Sequence, residues 1–207
     1  MFSFYCFVFI FGLILFLDLS TVGCESEILG IPPNNHGKEA LILIDDAGLN
    51  LTMGNLLTKI PLLSPEFVIS VNIRIHTSII NTGTMACNII HLTTGANILE
   101  YGSRSPFIGV IENSLKLFVE QGINGADRTG MTIPKILSIN KTYHVEVHQR
   151  YTSNGNYRYF VKLDGTEVAS LVNTDARQFY DIKVYASNPW NAACPVHASN
   201  FQITNFL

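Results

Sequence analysis

Charge is scarce in this chain: Asp, Glu, Lys and Arg make up 14% of its 207 residues and leave a formal net charge of −3. So thin and balanced a set excludes the basic surface that nucleic-acid binding needs, and a surface held on membranes by electrostatics. Lys and Arg are missing altogether before Lys38. Tryptophan occurs once, at Trp190, and cysteine four times. After residue 60 no long stretch carries apolar residues at helical spacing, which excludes a helix-built fold. What is abundant is apolar, at 47%, and aromatic, at 11%. That composition argues against disorder.

The N-terminus reads as an address. Phe2 to Leu17 is an apolar run broken by Asp18, Ser20 and Thr21. It is shorter than the ~20 residues of a membrane span. Small residues follow at Thr21-Val22-Gly23-Cys24. A secretory signal over 1–24, cleaved near residues 23–24, is the reading, although its positive end is only the α-amino group. Residues 25–47 then form an N-terminal extension containing the turn cluster Pro32-Pro33-Asn34-Asn35-His36-Gly37, and 48–207 form one domain. The expected product is secreted, with no stable membrane insertion once the signal is removed. Cleavage after Cys24 leaves two cysteines, Cys87 and Cys194, and permits one disulfide; cleavage after Gly23 leaves three. The sequons at Asn50 and Asn140 are candidate N-glycosylation sites, each requiring an exposed loop.

Apolar residues alternate along most of the domain. Phe67, Ile69, Val71, Ile73 and Ile75 share one face, with Ser70, Asn72 and Arg74 on the other. Similar alternation predicts inward-facing Val145, Val147, Tyr159, Val161, Ile182, Val184 and Ile203. Asn154-Gly155 and Asp164-Gly165 mark hairpins, because these residues accept positive φ. About ten short strands with frequent turns predict an all-β, antiparallel two-sheet sandwich. Long irregular stretches at 76–85 and 120–134 favour a jelly roll over an immunoglobulin-like arrangement.

Several stretches, taken in order, carry a resemblance. They are Gly54-Asn-Leu-Leu-Thr-Lys-Ile-Pro61, Asn88-Ile-Ile-His-Leu-Thr-Thr-Gly95, Tyr101-Gly-Ser-Arg-Ser-Pro106, Tyr159-Phe-Val-Lys-Leu-Asp-Gly165, Val184-Tyr-Ala-Ser-Asn-Pro-Trp190 and Asn200-Phe201. The set resembles secreted invertebrate proteins with a concanavalin A-like, laminin-G-like jelly roll. The resemblance implies a non-catalytic, lectin-like module whose partner is a glycan or an extracellular glycoprotein. The alternative is a structural or protein-binding jelly roll without a small ligand. It places Trp190, Tyr101 and Arg104 in loops that could hold a ligand. Trp190 is either a stacking platform for a sugar or a plug at the end of the sandwich. The family pattern often has an acid at the position of Asn188; the amide here leaves the intramolecular partner of Arg104 open. Because the ends of a jelly roll often meet, Cys87 and Cys194 are expected to pair.

Catalytic patterns are missing. The Glu-x-Asp-x-x-Glu strand motif of this fold's hydrolases has no match, and Glu146 has His144 and His148 as its same-face neighbours. No Gly-x-Ser-x-Gly elbow occurs. His144, Glu146 and His148 span ~13 Å along one strand face, too far for one metal ion, so they read as a solvated face and no metal site is assigned. Asp45-Asp46 is the only adjacent acid pair. Calcium stays open with backbone carbonyls completing its shell, and no other cofactor is expected.

Overall fold

The computed structural model describes residues 39–79, 83–95 and 99–206. The signal segment and residues 25–38 of the extension lie outside these. The described residues form thirteen strands: β1 (Leu41–Ile44), β2 (Leu49–Asn50), β3 (Asn55–Leu63), β4 (Phe67–Ile75), β5 (Ala86–Thr93), β6 (Phe107–Ile111), β7 (Lys116–Ile123), β8 (Ala126–Ile136), β9 (Thr142–Ser153), β10 (Asn156–Leu163), β11 (Thr166–Asn173), β12 (Phe179–Ala186) and β13 (Val196–Asn205). One sheet runs β1-β13-β4-β9-β10-β11, with β2 also on β13; the other runs β3-β12-β5-β6-β7-β8. Every ladder between strands is antiparallel. Late strands inserted beside early ones, β13 against β4 and β12 between β3 and β5, give a two-sheet jelly-roll sandwich.

Side-chain alternation builds the core. In the seven-stranded sheet, Ile203, Ile69, Val147 and Val161 lie opposite one another on successive strands. Ile90, Ile108, Val119 and Met131 do the same in the other sheet. Val71, Ile73, Val145, Val147, Tyr159, Val161, Ile182, Val184 and Ile203, the positions expected to face inward, are all buried, none more than 2% exposed. Each such aliphatic contributes roughly 1.5–3 kcal/mol relative to an exposed position. The hairpin signals also hold: Asn154 and Gly155 have φ of 52° and 76°, and Asp164 and Gly165 have 52° and 77°.

One expectation is corrected. Residues 120–134 are not irregular; they are the end of β7, a tight turn at Asn124-Gly125, and most of β8. Glycine and proline there have strand-compatible roles. The Phe118 ring lies over Gly130, filling the space a side chain would take. Pro134 stands on β8, an edge strand, where a missing N–H is tolerated. The apolar run at the end of the extension forms β1, with Leu41 opposite Ile203 and Ile44 buried.

Candidate ligand-binding site

β5 is buried along its whole length. Its inner side faces the core. Its outer side lies beneath two loops, residues 99–106 and 187–193. His91 points outward from β5 and joins them. Its Nε2–H donates to the Ser103 carbonyl at 2.7 Å. Its Nδ1 accepts from the Asn188 side-chain NH2, also at 2.7 Å, and that amide donates to Asn88 Oδ1 at 2.6 Å. His91, Asn88 and Asn188 are fully buried. Burial removes the solvation an imidazolium needs and lowers the His91 pKa to about 4; the nearby Arg104 charge acts in the same direction, against the Ser103 hydrogen bond. His91 is therefore neutral near pH 7, protonated on Nε2.

Asn188 also shapes the loop that carries Trp190. Its Oδ1 accepts from the backbone N–H of Trp190 at 3.0 Å and of Asn191 at 2.9 Å. The far end of the loop is fastened by the Cys87–Cys194 disulfide, which bridges 107 residues of sequence. Between them, Ala193 makes a parallel bridge to Asn88. Trp190 is thus presented by a loop anchored on both sides. Its ring stands edge-on to His91 at 5.8 Å and to Tyr185 at 6.0 Å, and remains 39% exposed. The plug reading does not fit that exposure: the backbone anchors keep the loop on the sheet's outer face, so the ring lies on a surface.

Beside it lies a cleft of about 190 Å³, lined by Arg104, Phe107, Phe118, Glu120, Arg128 and Asn191 among others. Sheet register assembles it. Tyr185, His91, Phe107, Glu120 and Gly130 lie opposite one another across five strands. The Phe107 ring covers Gly109 as Phe118 covers Gly130, and the two rings meet edge-to-face at 6.1 Å. These form an apolar floor. The wall is charged: Arg104 Nε is 2.6 Å from Glu120 Oε2, with Arg128 Nε 4.0 Å from the other oxygen. Glu120 is therefore the acid that partners Arg104. Sequence reasoning missed it, as it missed Asn191 and the His91–Asn188 pair. No local signal marked it: Glu120 follows the continuous apolar run Leu117-Phe118-Val119 and opens the stretch expected to be irregular.

The three residues singled out in the sequence do not form one set. Arg104 lines the cleft and Trp190 neighbours the lining Asn191. Tyr101 lies in a separate cluster: its hydroxyl donates to the Asp175 carbonyl at 2.9 Å, its ring stacks on Phe179 at 6.3 Å, and the Arg177 guanidinium sits 3.8 Å above it. Asn50 and Asn140 are both exposed, but only Asn140 lies in a turn, with φ of 61°; Asn50 stands on β2 opposite His197 and not in the loop expected. Among the described residues, no three His, Cys, Asp or Glu side chains are placed to hold one metal ion. No helix among them is long and apolar enough to cross a membrane.

No family model matches the chain, and no curated protein matches it by sequence. Solved structures do resemble it. A heptameric SAP-like pentraxin from Limulus polyphemus shares 11% identity and a TM-score of 0.50 over 85% of this chain and 80% of its own. An endo-β-1,4-glucuronan lyase from the fungus Trichoderma reesei gives 11% and 0.47, covering 86% and 92%. The carbohydrate-binding module CBM66 from Bacillus subtilis gives 11% and 0.43, covering 81% and 96%. At 11% identity the likeness to the pentraxin is one of fold alone, and with the strand order it shows a concanavalin A-like jelly-roll sandwich.

Proposed function

We propose that the protein is a secreted, non-catalytic, lectin-like module that binds a carbohydrate or a glycosylated extracellular partner through the outer face of its six-stranded sheet. One observation carries the reading. Trp190, the only tryptophan, is held partly exposed on a loop fastened at Asn188 and Cys194, beside a cleft walled by Arg104 and Glu120. A fixed indole face suits the C–H face of a sugar ring, and planar charged and amide groups alongside suit its hydroxyls. Pre-anchoring the loop lowers the ordering cost of binding. The non-catalytic part rests on the carboxylates: Glu120 lines the cleft without a second acid among the lining residues, and glycoside hydrolysis uses a pair. The disulfide suits an oxidising, extracellular compartment.

Glycan-array screening of the purified mature protein tests this. Saturable binding, competed by free sugar and abolished by Trp190→Ala with the melting temperature kept within a few degrees, is expected. Failure to bind any glycan on the array would leave the structural or protein-binding alternative in its place.

A further inference from the structure

We propose a second ligand site on the opposite side of the molecule. It is a cleft on the outer face of the seven-stranded sheet that takes the anionic oxygen group of an acidic saccharide, a carboxylate or a sulfate ester. Strand alternation turns Asn72 and Arg74 of β4 outward. Antiparallel register sets His197 of β13 and Thr142 of β9 on either side of Arg74. It sets Ser199 and His144 on either side of Asn72. Six polar side chains thus occupy a grid across three adjacent strands, and all but His144 line a cleft of about 200 Å³.

The grid is held in place. His144 Nδ1 lies 2.7 Å from Asn72 Oδ1; with His144 as donor, the Asn72 NH2 is turned to other acceptors. The His197 ring packs where Gly48 has no side chain, so closely that a Cβ there would collide with it. His197 also stands edge-on to His76 at 6.3 Å, and His76 Nε2 lies 3.2 Å from Asn50 Oδ1.

Charge selects the occupant. Of the nearby acids, Glu146 lies 2.7 Å from His148 and 3.5 Å from His144, Asp164 lies 3.6 Å from Lys135 and accepts from the His144 backbone N–H, and Asp45, in the turn that packs on His197 and Ser199, accepts from the Gly48 backbone N–H, while Asp46 of that turn is exposed. Arg74 is exposed and, among the described residues, has no carboxylate at ion-pair distance. The cleft therefore offers a guanidinium, an amide NH2, an imidazole and two hydroxyls, a donor-rich set that matches a group made only of acceptors. Carboxylates and sulfates receive paired hydrogen bonds from arginine. The hydroxyls of Thr142 and Ser199 beside the cation suit a sugar ring carrying that group. The net charge of −3 disfavours a long polyanion held by charge alone.

Calorimetric titration of the mature protein with three tetrasaccharides tests the site: tetragalacturonate (carboxylate only), the κ-carrageenan tetrasaccharide (sulfate ester) and cellotetraose (neutral). Binding of at least one charged probe, at least tenfold tighter than cellotetraose and weakened by added salt, is expected. Arg74→Gln should weaken it tenfold or more with an unchanged melting temperature, while Trp190→Ala leaves it intact. Which charged probe binds distinguishes carboxylate from sulfate. Equal binding of all three probes, no binding of either charged one, or insensitivity to Arg74→Gln would overturn the proposal. Because Trp190 and Arg74 are varied separately, loss of either site is read independently of the other.

Discussion

The Asn188 side chain donates to Nδ1 of His91 at 2.7 Å, and the opposite ring nitrogen, Nε2, donates to the Ser103 carbonyl. One neutral imidazole thereby joins two loops 85 residues apart in sequence on the back of one sheet. The pair also explains why residue 188 is an amide. A carboxylate cannot donate to Nδ1. It would need a proton there as well as the one on Nε2, and so a charged imidazolium in a fully buried position.

Stability should therefore depend on pH through His91. Its folded pKa of about 4 lies below its ordinary 6.5. Between those values the unfolded chain binds the proton and the folded one does not. The stabilising contribution is fully present above about pH 6.5 and is lost as pH falls toward 4, by about 3 kcal/mol at that point. His148, whose pKa is lowered chiefly by burial against the opposing effect of Glu146, acts with the same sign. Denaturant titrations of the wild type and His91→Gln between pH 7 and 4.5 should show a shallower pH slope in the variant. Parallel slopes would refute this assignment.

Removing the disulfide should be costly. Cys87 and Cys194 are 107 residues apart, and closing such a loop stabilises by about 4–5 kcal/mol in the chain-entropy model. Replacing both cysteines with Ala is expected to lower the denaturation midpoint accordingly. The loop carrying Trp190 should exchange its amides faster than the β4 and β9 strands, because the disulfide fastens one end of it. Uniform protection across the molecule would contradict that local effect.

Glycines of the same sequence type should respond differently. Gly109 has no left-handed conformation to defend, but a Cβ there would strike the Cys87 carbonyl and come within 2.6 Å of the Phe107 ring. Gly109→Ala should destabilise by about 1–3 kcal/mol as an overpacked site and should disturb the cleft floor. Gly165 has open space but a φ of 77°. Gly165→Ala should cost nearer 1 kcal/mol, from backbone conformation alone. Equilibrium unfolding of the two variants measures the difference.

Much of the sandwich was legible because burial on one face imposes a period of two. Val71, Ile73, Val145 and Val147 declare their strands without help from the rest of the chain. The hairpins at Asn154-Gly155 and Asp164-Gly165 were legible because their φ values demand such residues. The β7–β8 hairpin was hidden: Gly130 and Pro134 carry loop signals locally, and only the Phe118 ring and the edge position make them fit a strand. The candidate site was less legible still. Glu120 meets Arg104, and Asn188 meets His91, through strand order and register, which no local spacing encodes. His91 lies on a strand buried on both sides, so alternation could not mark it as special.

The side chains around the Trp190 loop should rank against their size. Trp190 is 39% exposed and touches His91 and Tyr185 at ring edges. Neither loop anchor depends on the indole. Trp190→Ala should therefore cost well under the roughly 3–5 kcal/mol typical of truncating a buried aromatic. Asn188→Ala removes far fewer atoms but leaves His91 Nδ1 without its donor and the backbone N–H groups of Trp190 and Asn191 without their side-chain acceptor. Buried polar groups left unpaired cost about 1–3 kcal/mol each. Asn188→Ala should therefore be the more destabilising change, visible as a larger drop in denaturation midpoint than Trp190→Ala produces. Val147→Ala, at a fully buried position, supplies a core reference near 2 kcal/mol. If Trp190→Ala proves worse than Asn188→Ala, the indole and not the amide holds the loop, and its role as an open platform fails.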